Sequence, residues 1–181
     1  MMLSDEEIIA QFQDSATRHR AFTIIVERYQ QKLYWYVRRI VISHDDADDV
    51  IQNTFIRVWK SLSAFKGNSQ LYTWLYRIAT NESITFLNKK KRYATVSIDN
   101  SDEYLLTTLK ADKNFDATVA EWKLQQAILR LPEKQRLVFN LRYFDEMPYM
   151  EMSQILETSE GALKASYHHA VKKVEEFLLN H

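Results

Sequence analysis

The sequence predicts an all-α fold of two small helical domains joined by an acidic linker, and three observations carry that prediction. Only 2 Gly and 2 Pro in 181 residues leave too little turn chemistry for an all-β chain or a doubly wound sheet. A composition of 46% apolar and 27% charged residues supplies a buried core and is too apolar for general disorder. Apolar residues recur at three- and four-residue steps through most of the chain and lose that period between Tyr93 and Ala120. The domains therefore fall at 1–92 and 121–181, with 93–120 as the linker.

The first domain is read as helices in order. Phe22, Ile25, Val26, Tyr29, Leu33, Tyr36, Val37 and Ile40 form one stripe of a long helix. Residues 46–62 repeat the pattern with Val50, Ile51, Phe55, Val58, Trp59 and Leu62, giving an antiparallel partner. Asp45, Asp46, Asp48 and Asp49 stand at the start of that second helix, where each carboxylate offsets the helix dipole by about 0.3–1 kcal/mol when exposed. The same run offers a docking surface to a basic partner. Lys66-Gly67-Asn68-Ser69-Gln70 then breaks the period as a polar loop before a helix from about Leu71 to Leu87.

Residues 97–103 read as linker. Periodicity resumes at Trp122, Ala127, Ile128 and Leu131, and Pro132 suits the first turn of a helix reaching about Phe144. Glu146-Met147-Pro148 makes the next break, 149–156 is a short helix, and Glu157-Thr158-Ser159 is a tight turn whose hydroxyls can cap the next helix. From Glu160 onward Leu163, Tyr167, Ala170, Val174, Phe177 and Leu178 point inward, while Lys164, Ala165, His168, His169 and Lys172 point outward. Two helices around a tight turn, the second with such a face, have the shape of a helix-turn-helix.

Net charge is zero, from 24 basic and 24 acidic residues, but it is zoned. Residues 1–56 carry 6 basic and 9 acidic side chains, 57–92 carry 8 basic ones against Glu82 alone, and 93–121 turn acidic again. The basic zone holds a helix face of Trp74, Arg77, Asn81, Thr85 and Asn88 that ends in Lys89-Lys90-Lys91-Arg92. An aromatic ring, a guanidinium, amides and a hydroxyl beside clustered cations suit stacking on bases and neutralising phosphates, so single-stranded DNA is the expected ligand. A solvated face with Trp74 half-buried is the plainer alternative.

Zero cysteines exclude disulfides and thiolate metal sites. No apolar run approaches the roughly 18–20 residues of a membrane helix, and the acidic N-terminus does not resemble a secretory signal, so a cytoplasmic protein is expected. His168-His169 diverge by about 100° on a helix and no ligand set completes them, which argues against a metal site. No Gly-rich phosphate loop or nucleophile elbow occurs, and nothing predicts an enzyme. One reading of these residues is a stand-alone helix-turn-helix regulator whose N-terminal domain dimerises or senses, the rival of the function that the resemblance given next implies. A metal-dependent hydrolase using Asp45–Asp49 is a third and less supported reading.

Four segments then carry a resemblance: Asp48 to Trp59, Phe65-Lys66-Gly67-Asn68-Ser69, Tyr72 to Asn81, and Leu131-Pro132-Glu133-Lys134-Gln135-Arg136. Together, and with Gly161-Ala162-Leu163-Lys164, the chain resembles the extracytoplasmic-function (ECF) group of bacterial sigma-70-type sigma factors over about 22–92 and 121–178. The resemblance implies a sigma-2-like bundle that binds core RNA polymerase and melts the minus-10 element, and a sigma-4-like helix-turn-helix that reads the minus-35 element. By position, Asp48, Asp49, Gln52, Asn53 and Arg57 match the polymerase-docking helix, with Asn53 where the family more often has Glu. Lys66, Gly67, Asn68, Ser69 and Gln70 match the loop that captures a flipped non-template base; Trp74, Arg77, Asn81, Thr85, Lys89 and Lys90 match the helix beside it. Lys164, Ala165, Ser166, His168 and His169 match the recognition helix, with Lys172 and Lys173 near phosphates; the family usually has Arg near Ser166 and His169. Pro148 interrupts a stretch that is commonly Ser-Tyr-Glu-Glu, so that helix is expected to start one residue late. The acidic linker matches a segment that threads the polymerase toward RNA exit. Implied partners are core RNA polymerase, through its β′ clamp helices and β flap, promoter DNA and an anti-sigma factor, with no cofactor, no metal and no membrane insertion.

Overall fold

A computed structural model describes residues 3–93, 101–112 and 117–181. The first domain contains α1 (Asp5–Gln13), α2 (Arg18–Val41), α3 (His44–Ser61), a 3₁₀ turn (Leu62–Ala64) and α4 (Leu71–Tyr93). Helix α1 lies outside the elements expected from the sequence. A capping box starts it: the Glu7 amide donates to Ser4 Oγ at 3.2 Å and the Ser4 amide donates to Glu7 Oε2 at 2.7 Å. Ile8 and Phe12 bury its inner face, and Arg28 and the Tyr29 hydroxyl both donate to Asp5 at 2.8 Å.

Helices α2 and α3 pack antiparallel because their apolar stripes interdigitate around Phe12, Phe22, Phe55 and Trp59, whose rings lie 5.1–6.4 Å apart. Ile42, at φ 72°, ends α2 sharply, and Ser43 caps α3 by accepting from the Asp46 amide. Helix α4 closes the bundle. Deep in it the Tyr36 and Thr80 hydroxyls share a 2.7 Å hydrogen bond, and burial pushes the Tyr36 phenol well above its ordinary range.

The stretch expected to be linker without sustained structure contains a helix, α5 (Ser101–Ala111). Leu105 and Leu109, one turn apart, are buried in the core, and Asp112 just beyond pairs with Arg38 of α2. Two apolar anchors outweigh the acidity that suggested a linker. Of the expected linker segment 97–103, residues 97–100 lie outside the described residues.

The second domain contains α6 (Val119–Leu129), α7 (Glu133–Phe139), a π-helical turn (Asn140–Phe144), α8 (Tyr149–Leu156) and α9 (Glu160–Asn180). Pro148 occupies the cap of α8 and Tyr149 begins it, matching the expected short helix over 149–156. Ala127, Ile128, Leu131, Phe139, Ala170 and Val174 form its local core. Leu178, expected inward, is 39% exposed, while Phe177 beside it packs on that core. Buried Arg136 donates to the Leu129 and Leu131 carbonyls at 3.2 and 3.3 Å, satisfying groups that the end of α6 leaves open.

The domains lie against each other. One hydrophobic core runs from α1–α4 into Leu137, Val138, Leu141, Met147, Met152, Ile155 and Leu163, with α8 packed along α4. Among the described residues every regular element is helical, and no helix is long and apolar enough to cross a membrane.

Candidate nucleic-acid interface

The expected loop is built around Gly67, whose φ of +71° would strain any residue with a side chain. That reversal carries the chain from Phe65 into α4, where the Trp74 amide donates to the Gln70 carbonyl at 3.2 Å. Lys66, Asn68 and Gln70 are exposed and Ser69 is half-buried. Trp74 is half-buried too, its ring 5.1 Å from that of Phe65. One ring face of this pair thus belongs to the fold.

Phe65, Lys66, Asn68, Ser69, Thr73, Trp74 and Arg77 line a cavity of about 500 Å³. Its remaining wall is Ser153, Gln154 and Glu157 of the second domain. Arg77 pairs with Glu157. One turn along α4, exposed Asn81 opens into a second cavity, of about 550 Å³, shared with Ala162 and Ser166 of α9. Thr85 and Lys89 continue the exposed face. Lys90 does not: it is half-buried, pairs with Asp46 at the start of α3, and lies 5.5 Å from the Phe86 ring.

On α9, Lys164, Ala165, His168, His169 and Lys172 form an exposed face, and Ser159 caps the helix by accepting from the Ala162 amide. Lys164 sits 5.6 Å from the Tyr149 ring centroid, with Arg142 on the same ring at 4.9 Å. Lys173 is turned toward α7, donating to Gln135 at 3.1 Å.

On α3, Asp48, Asp49, Gln52, Asn53 and Arg57 are all exposed. His44 lies 3.5 Å from Asp48, and Arg57 reaches across to Glu82 of α4 at 2.5 Å. Ile56 stands among them with 52% of its surface exposed, a member of this face that polarity alone did not single out. Its offset of three and four residues from Asn53 and Gln52 was the available signal.

The comparisons with known proteins decide the family. Residues 25–93 match the family described as Sigma-70 region 2, and residues 121–174 match Sigma-70, region 4. The ECF RNA polymerase sigma factor SigW of Bacillus subtilis is 35% identical over 156 residues, covering 82% of this chain and 83% of that protein. The chain belongs to the ECF RNA polymerase sigma factors. The ECF RNA polymerase sigma-E factor of Escherichia coli K12 is 30% identical over 181 residues, covering 96% of this chain and 93% of its own. The solved structure of CnrH with the cytosolic domain of CnrY shares the sigma factor's fold at a TM-score of 0.69 and 23% identity, covering 96% of both chains. The Bartonella quintana sigma factor RpoE with the anti-sigma factor NepR does so at 0.67 and 19%, covering 87% of this chain and 96% of that one.

These relationships remove the stand-alone regulator as a reading. Its N-terminal half would need a dimerisation or sensing role, and that half is sigma-70 region 2. The chain's function is that of a promoter-specificity subunit of RNA polymerase.

Proposed function

We propose that the sigma factor docks on the β′ clamp helices of core RNA polymerase through Asp48, Asp49, Gln52, Asn53, Ile56 and Arg57, and on the β flap through its second domain. It then holds the melted non-template minus-10 strand in the cavity under the Lys66–Gln70 loop. The observation that carries the minus-10 assignment is that cavity. It brings a cation, two short polar side chains, a guanidinium and a half-exposed indole around a volume of about 500 Å³, ample for a base, at the mouth of the chain's most basic segment. Extruding a base costs a few kcal/mol of unstacking, which stacking of about 1–3 kcal/mol per base and polar contacts offset. Asn81, Thr85 and Lys89 extend the track.

The exposed α9 face reads minus-35 duplex, with Lys164, Ala165, Ser166, His168 and His169 toward the groove and Lys172 toward phosphate. Tyr149 beneath Lys164 limits the ammonium's rotamers and favours a fixed contact. With Ser166 and His169 in place of arginines, bidentate guanine contacts are fewer, so the element read differs from one read by two arginines. An anti-sigma factor is the regulatory partner, as NepR is for the Bartonella quintana sigma factor.

Run-off transcription with purified core polymerase on a genomic fragment library tests the whole reading. Discrete transcripts that require the sigma factor, from promoters sharing two spaced elements, are expected. Transcripts of equal number and position with core alone would refute it.

A further inference from the structure

The start of α3 ends a chain of polar side chains that reaches the docking face from the far side of α2. Asp112, just beyond α5, pairs with Arg38 of α2. Arg38 in turn bonds the Tyr34 hydroxyl, one turn back along the same helix. That hydroxyl meets His44 Nδ1 at 2.6 Å, and His44 Nε2 faces Asp48 Oδ2 at 3.5 Å, one turn further along α3. Asp48 is among the residues assigned above to core polymerase.

The donors along this chain fix where each proton sits. A guanidinium only donates, so the Tyr34 oxygen accepts from Arg38 and its own proton goes to His44 Nδ1. Burial raises the Tyr34 phenol above its ordinary value, which keeps that proton in place. A neutral imidazole whose Nδ1 accepts carries its proton on Nε2, the nitrogen aimed at Asp48. The ring is thereby oriented as a donor to a carboxylate whose side chain is 51% exposed. Such a donor narrows the rotamers of Asp48 and leaves its charge whole.

Imidazole is also the side chain whose charge ordinarily changes between about pH 5 and 8. A second proton turns His44 Nδ1 from acceptor to donor and sets a positive charge beside Asp48. From α3 the charged groups around the ring are Asp45 and Asp48; from α2 they are Arg38 and Arg39, and from α5 and its end Tyr104 and Asp112. Arg38 and Arg39 are paired with Asp112 and Asp145, so exposed Asp45 and Asp48 are the carboxylates that an imidazolium here would offset.

We propose that His44, oriented by Tyr34, is a positioning residue for polymerase docking: its Nε2–H holds the Asp48 carboxylate on the docking face, and a second proton on the ring cancels part of that face's charge, so affinity for core polymerase falls in acid. The inference rests on the docking assignment above and adds a residue that acts through Asp48. A run of carboxylates suits a basic partner surface, and a cation among them weakens the attraction. Exposed ion pairs count for little singly, so the change expected is about threefold.

Titrations of N-terminally labelled sigma factor with core polymerase at about pH 8 and about pH 6, in low salt, test it. Between the two, the wild-type dissociation constant should rise about threefold more than that of His44→Gln, which keeps an N–H donor and cannot take up the proton. His44→Ala, which loses the donor as well, should bind about threefold more weakly at the higher pH, and His44→Gln should recover that loss. The tautomer is read without polymerase, by nitrogen-edited NMR of the histidine rings, with His44 assigned from the signal that His44→Gln removes. Its proton should sit on Nε2 in wild type and be shared between both nitrogens in Tyr34→Phe.

Equal pH profiles for wild type and His44→Gln, a wild-type ring protonated on Nδ1, or an unchanged ring in Tyr34→Phe would overturn the positioning role. Asp48→Asn separates that role from the docking assignment, since it should weaken binding at both pH values and flatten the dependence. Binding by Asp48→Asn equal to wild type throughout would overturn the assignment of Asp48 itself. Weakened binding by Asp48→Asn beside a His44→Gln that titrates like wild type would overturn the role of His44 alone.

Discussion

Lys90 donates its ammonium to the Asp46 carboxylate, tying the last turn of α4 to the first turn of α3. Asp46 is buried, so the acidic start of α3 is a structural anchor at this position as well as a compensator of the helix dipole. Lys89, one residue away, is exposed and faces the proposed DNA track. The two lysines therefore separate by experiment. Lys89→Ala should reduce the salt dependence of single-strand binding by about 0.7 in log–log slope and leave thermal stability unchanged. Lys90→Ala should leave the slope nearly unchanged and cost about 1–3 kcal/mol of stability through the orphaned carboxylate. Salt titrations and denaturant unfolding read both.

Ile56 tests the polymerase face. It is half exposed on a helix side otherwise made of Asp49, Gln52 and Asn53, so replacement should not disturb the core. Ile56→Glu should shift stability by no more than about 0.5 kcal/mol. It should weaken binding to core polymerase roughly tenfold, about 1.4 kcal/mol, in a fluorescence titration.

Asp145 gives a pH prediction whose sign runs against the simple salt-bridge expectation. Burial raises its carboxyl above the ordinary range; Arg39, Tyr76 and Lys32 oppose that shift without cancelling it. A raised carboxyl in the folded state favours the neutral form, so its stabilising contribution is present at low pH and lost as pH rises through the raised value. Asp145→Asn, which mimics the neutral form, should thus equal wild type in acid and be at least as stable above the carboxylate range. Unfolding midpoints of the two proteins across that range check it.

Lys164 tests the duplex face. If its ammonium meets a base edge, Lys164→Ala should change preference at one minus-35 position by about 1–3 kcal/mol; a phosphate contact would lower affinity uniformly across sequences. With the Lys164 ammonium 5.6 Å from the Tyr149 ring, the first outcome is expected. Binding selection on randomised minus-35 duplex by holoenzyme distinguishes them.

The long helices were legible because their stripes are wide: Ile25, Leu33, Tyr36, Val37 and Ile40 bury one face of α2 as the period requires. Helix α1 and the linker helix α5 were not, since each rests on two buried anchors, Ile8 with Phe12 and Leu105 with Leu109, too few to establish a period. The residue types of the proposed minus-10 face were readable from spacing along one helix. Their pairing was not. Arg77 and Glu157 stand 80 residues apart, and nothing local in either segment distinguishes an interdomain partner from a solvated charge. The partners of Lys90 and Arg57, Asp46 and Glu82, were unreadable for the same reason, since they lie on neighbouring helices.

The capture of unpaired DNA by the α4 face is tested most directly at Asn81 and Asn68, both exposed and neither on the α3 docking helix. Heparin-resistant open complexes should be counted alongside co-elution with core polymerase for wild type, Asn81→Ala and Asn68→Ala. Loss of open complexes with co-elution intact is the predicted result. Equal loss of both, or full retention of both, would contradict it.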